Sequence, residues 1–134
     1  MNQPPSAVAF TATTDLPFRD AVERCREALQ REGFGVLCEI DIQAKLKEKL
    51  GIDRAALLIL GACHPPSAQR ALEAAPEVAV LLPCNVTVSI EDGRTVVRAM
   101  NPEAALALIP SPALAEIARE VGAALRRVVA AVAG

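Results

Sequence analysis

The strongest constraint on this chain lies at its C-terminus. Leu114, Ile117, Val121, Leu125, Val128 and Val132 recur every three or four positions, while Glu116, Arg119, Glu120, Arg126 and Arg127 fall on the opposite side. That is the period of a helix with one apolar stripe. Ser111-Pro112 in front of it supplies an N-cap and a proline at the first helical position, where a missing N–H is no loss. A stripe this long has to be covered, and a sheet face is the economical partner. Residues 111–134 are therefore expected to form a helix packed on a sheet.

The strands of that sheet can be sought upstream. Residues 7–14 are β-branched and aromatic without helical period, which predicts a first strand, and Asp15-Leu16-Pro17 then turns the chain into a helix. In residues 17–32, Phe18, Ala21, Val22, Cys25, Ala28 and Leu29 take helical spacing, and Gly33 stands where the helix should end. Phe34, Val36, Cys38, Ile40 and Ile42 alternate with their neighbours, predicting a second strand that points Cys38 inward. Residues 42–50 read as a short lysine-rich helix with Asp41 as cap and Gly51 as stop. The apolar run 55–63 predicts a buried strand, ended by Pro65 and Pro66, which open a short helix reaching about residue 75. Residues 78–90 alternate again and predict one long strand, joined through Asp92-Gly93 to a partner at 94–100. Asn101-Pro102 opens one more helical stretch, to about residue 109.

The sum is an α+β chain: a two-layer sandwich in which helices pack on one face of a largely antiparallel sheet. Residues 1–134 are expected to form a single domain, with 1–6 loose. A chain of 134 residues can bury most of its unfolded surface without a metal or disulfide. A hydrophobic content of 52% with a net charge of only -2 argues against disorder.

Composition narrows the chemistry. There is no Trp, no Tyr and one His, so a catalytic triad could use only His64, and the aromatic platforms and positive charge of single-strand or RNA binders are scarce. Lys45, Lys47 and Lys49 read as a solvated helix face, with Glu48 and Asp53 beside them. No nucleic-acid partner is expected. Glu39 and Asp41 share a strand face without the look of a catalytic carboxylate pair, and Gly33-Phe34-Gly35 opens no phosphate-binding helix. The first fifteen residues hold no Lys or Arg, and no charge-free run reaches the roughly 18 apolar residues of a membrane span. The expectation is a cytoplasmic protein with no membrane partner and no structural disulfide among Cys25, Cys38, Cys63 and Cys84.

Two segments are distinctive together: Gly61-Ala62-Cys63-His64-Pro65 and Leu81-Leu82-Pro83-Cys84-Asn85-Val86-Thr87-Val88 leading to Gly93. With the helix end at Gly33-Phe34 and the stretch from Asp41 to Gly51, they resemble the DUF302 family over about residues 7–109. The resemblance implies a TATA-binding-protein-like α+β fold and brings no reaction, cofactor or catalytic residue. Where the motif leads one to expect Asn after its first cysteine, this chain has His64, which adds a candidate ligand or base.

Cys25 and Cys38 read as small buried hydrophobes. Cys63 ends a strand just before a helix start, where a thiolate can be stabilised. The helix carries the chain roughly 15 Å away at 1.5 Å per residue, and an extended return over 76–83 can bring Cys84 back. Cys63, His64 and Cys84 then form a candidate set for a soft metal such as zinc or copper, or the two sulfurs a dithiol. The plainer reading buries both cysteines in the core and leaves His64 as a cap or pointing to solvent. Two functions follow. One is a non-catalytic binding or interaction domain, self-associating as a dimer or taking a small apolar ligand; the other is a thiol protein built on Cys63 and Cys84.

Overall fold

The computed structural model describes residues 7–134, so the looseness expected of 1–6 lies outside the described residues. Five strands, β1 (Ala9–Thr14), β2 (Gly35–Asp41), β3 (Leu57–Cys63), β4 (Cys84–Glu91) and β5 (Arg94–Met100), form one sheet in the order β1-β5-β4-β3-β2. Every neighbouring pair is antiparallel. Helices α1 (Phe18–Arg31), α2 (Ile42–Leu50), α3 (Pro65–Ala74), α4 (Pro102–Leu106) and α5 (Pro112–Ala133) lie to one side of it. No helix among the described residues is long and apolar enough to cross a membrane.

The local devices are those the sequence predicts. Ser111 Oγ accepts from the Leu114 N–H at 3.2 Å, Asn101 Oδ1 from Glu103 at 3.1 Å and Asp41 Oδ1 from Ala44 at 2.9 Å. Asp92 and Gly93 take φ of 51° and 76°, the left-handed pair of a two-residue hairpin. All six residues of the C-terminal stripe are buried. They cover the sheet together with Cys25 and Leu29 of α1, against Leu60, Val86, Val88 and Val97, and one cluster of buried residues runs from Ala21 to Val132.

Two expectations need correction. The long strand over residues 78–90 begins only at Cys84; the stretch before it is a 3-10 helix, Pro76–Leu81, with Pro76 in its first turn. Val78 is fully buried whereas Val80 is 85% exposed, so their alternation belongs to a turn and not to a sheet face. Cys38 is exposed, not inward. The cause is a β-bulge: Val36 pairs with Ala62 but Cys38 with Gly61, two steps on β2 for one on β3. The extra residue flips the alternation, as a one-residue slip must. Val36 still packs toward the core, while Cys38 and Ile40 go to the helix-free face with Gly61 and Ile59.

That face carries the strongest electrostatic feature of the fold. Glu91 accepts from Ser89 Oγ at 2.5 Å and from both terminal nitrogens of Arg98, one at 2.9 Å. Hydrogen bonding to Arg98 first, and then to Ser89, pulls its carboxyl down from 4.5 to about 2. A depressed carboxylate adds stability that is complete above its unfolded value and lost as pH falls through the folded one. With the Glu91 side chain 37% exposed, screening leaves about 1 kcal/mol of this. Glu91→Gln is expected to cost about that much in urea unfolding at neutral pH, and the gap to the parent should close between pH 4.5 and about 2. A gap independent of pH would refute the assignment.

Candidate functional site

The site lies where β3 ends and β4 begins. Ala62 sits directly opposite Cys84 in the β3–β4 ladder, which brings Cys63 and Cys84 to the same end of the sheet. The return path is shorter than an extended one. The 3-10 segment covers its six residues at about 2 Å each, and antiparallel pairing closes the remaining distance.

Cys84 is 8% exposed and Cys63 half-buried. Burial, with a further contribution from the neighbouring Cys63, pushes the Cys84 thiol up to about 11. Cys25, inside α1, is pushed up to about 12 by burial alone, as expected of a core residue. The helix start beside Cys63 is poorer in donors than its position suggests. Pro65 and Pro66 have no N–H, so Ser67 is the first residue of α3 able to offer one.

His64 takes the N-cap position of α3 by its backbone, but its side chain makes no capping bond. Its Nδ1 lies 2.8 Å from Ser67 Oγ, and its ring tilts at 56° against Phe34 with centroids 5.4 Å apart. The other edge of the ring covers Gly33, where a Cβ would meet Cδ2 and Nε2 at 3.2 Å. Among the described residues no three His, Cys, Asp or Glu side chains are grouped to hold a metal ion. The structure thus places Cys63, His64 and Cys84 around one cleft, with His64 turned toward Ser67 and Phe34.

Around these groups opens a shallow cleft, whose enclosed space is about 30 Å³. Its walls are apolar: Phe34 and Leu82 at the sheet end, Ala68 and Ala71 of α3, Leu106 of α4 and Val121 of α5. Cys63, His64 and Ser67 are its few polar groups. The wall residues are invisible to motif reading, because they come from separate elements and look like ordinary core. Ser67 carried a faint signal, three residues after His64 at the N-cap spacing.

Gly33 ties this site to the fold. It ends α1 with φ 83° and leaves room for the imidazole. Gly33→Ala is expected to cost about 1–2 kcal/mol from the left-handed backbone alone, and to shift the NMR resonances of the single imidazole. Unmoved His64 signals would show that the ring does not rest there.

The other polar candidates are engaged elsewhere. Lys47 pairs with Asp53 at 2.8 Å and Lys45 with Glu48 at 3.8 Å, while Glu39 pairs with Arg26.

Comparison with known proteins agrees with this architecture. The sequence model of a domain of unknown function, DUF302, matches residues 10–132. Similar solved structures include the crystal structure of an uncharacterised conserved DUF302 protein from Bacillus stearothermophilus. It is 31% identical, with a TM-score of 0.88, over 94% of this chain and 98% of that one. None of the curated proteins matches.

Proposed function

The chain belongs to the DUF302 family, a domain of unknown function, and from that premise we propose that it is a binding module whose cleft takes a small apolar molecule. The observation that carries this reading is the cleft itself. It combines apolar walls with a few convergent polar groups, as small-molecule sites do. No carboxylate is among the residues that line it, and the reading is of a binding site.

The test is a titration of isotopically labelled protein with indole, followed by amide NMR. Shifts confined to residues such as Ala68, Ala71, Leu106 and Val121 are the expected result. No shift up to the solubility of indole, or shifts centred on β2 and α2, would overturn it.

The same proposal includes self-association as a dimer in the cytoplasm. It is supported by the edge strand β2, where Leu37 and Ile40 are 67% and 40% exposed beside unpaired backbone groups on the outer side. Light scattering should give twice the chain mass, and Leu37→Lys should return it to the monomer; a monomer in the parent protein at working concentration contradicts the dimer.

A further inference from the structure

We propose that Cys63 and Cys84 are a dithiol couple that reduces a small apolar disulfide held in the cleft and closes into a bond with each other. This rests on the reading of the cleft as an apolar ligand site. The strand register carries the geometry. Ala62 faces Cys84, so Cys63 lies one step along the diagonal. With strands about 4.8 Å apart and a rise of about 3.3 Å, the two Cα atoms are about 6 Å apart, inside the span a disulfide can bridge. In a continuing strand Cys63 would project to the face opposite Ala62. Cys63 is the last residue of β3, paired with Gly35 of β2 but beyond the β3–β4 ladder, and both cysteines line the same cleft.

The two thiols are unequal in a useful way. Cys63 is half-buried and open to attack a molecule in the cleft, while Cys84 is buried. Of the remaining cysteines, Cys25 is fully buried in α1, and Cys38 lies on the helix-free face against Gly61. Phe34, Leu82 and Leu106 on the walls favour a disulfide with apolar arms over a charged one.

The chemistry balances without a further reagent. The Cys63 thiolate attacks one sulfur of the substrate, the S–S bond breaks, and the first thiolate leaves and takes up the proton that Cys63 released. Cys84 then gives up its proton and attacks the sulfur of Cys63, releasing the second thiol. One disulfide is reduced to two thiols, and the protein dithiol is oxidised by the same two electrons. Because burial still raises the Cys84 thiol once Cys63 is bonded, closure is the slower of the two steps.

The experiment uses the full chain carrying Cys38→Ser, with 4,4′-dithiodipyridine as the probe. Thiopyridone is followed by absorbance and the protein by intact mass. The expected result is release in two phases, one thiopyridone per chain in each, and a final mass lower by two hydrogen atoms with no adduct. Adding Cys63→Ser should slow release by about tenfold or more. Adding Cys84→Ala should stop it after the first phase with the adduct on Cys63. A lasting adduct in the Cys38→Ser protein, or release unchanged by Cys63→Ser, would overturn the couple. Indole titration of the same protein separates the two readings. Indole bound with the adduct persisting removes the couple and leaves the cleft, whereas two-phase release without indole binding removes the apolar substrate class.

Discussion

Leu125→Ala is expected to lower the stability of the domain by about 2–5 kcal/mol. Leu125 is fully buried at the middle of α5. That helix packs against α1, β1, β5, α3 and α4, so it joins the two layers. Removing the side chain forfeits its transfer free energy and leaves a cavity that surrounding elements fill only in part. A domain of this kind has about 5–15 kcal/mol in total, so the loss is a large share. The chain has no Trp or Tyr, and far-UV circular dichroism during urea unfolding is the suitable readout. The matched control is Leu108→Ala. Leu108 is 80% exposed, and its loss should stay within about 0.5 kcal/mol. A Leu125→Ala effect as small as that of the control would mean that α5 does not close the core.

The same contrast explains what could be read from residues alone. The stripe of α5, the caps at Asp41, Asn101 and Ser111 and the Asp92-Gly93 hairpin are local devices, each complete within a few residues. They survive folding unchanged because nothing distant is needed to form them. Cys38 failed because its face depends on a bulge, and a bulge is defined by the partner strand: only the pairing of Val36 with Ala62 and Cys38 with Gly61 reveals it. The segment before Cys84 failed for a related reason. Val78, Val80 and Leu82 carry a strand period, yet Pro76 starts a 3-10 turn that buries Val78 alone. The return of Cys84 to the end of β3 was legible as a matter of reach, although the chain returns by a different route. The cleft was not legible at all, since Phe34, Ala68, Leu106 and Val121 become a wall only when α3, α4 and α5 are set side by side.

Ala68→Phe is expected to weaken indole binding by about tenfold or more, which is about 1.4 kcal/mol, while leaving the fold intact. Ala68 is a half-buried residue of α3 on the wall of the cleft. A benzyl group added there takes the volume that a bound ring would use. Phenylalanine costs up to about 0.7 kcal/mol in helix propensity, and burial of the new ring against the apolar wall offsets this by about 1.5–3 kcal/mol. The variant should therefore unfold at the same urea concentration as the parent or a higher one. This direction separates a filled ligand site from a damaged fold, because damage would lower both stability and binding. The absence of Trp and Tyr helps the measurement: indole excited beyond phenylalanine absorption is then the sole emitter, and its change on transfer from water to the apolar cleft is seen without background. Equal indole affinity in Ala68→Phe and the parent would place the ring elsewhere and remove the cleft as the ligand site. Loss of binding with undiminished stability would locate the ligand beside the thiols, where Cys63 can reach it.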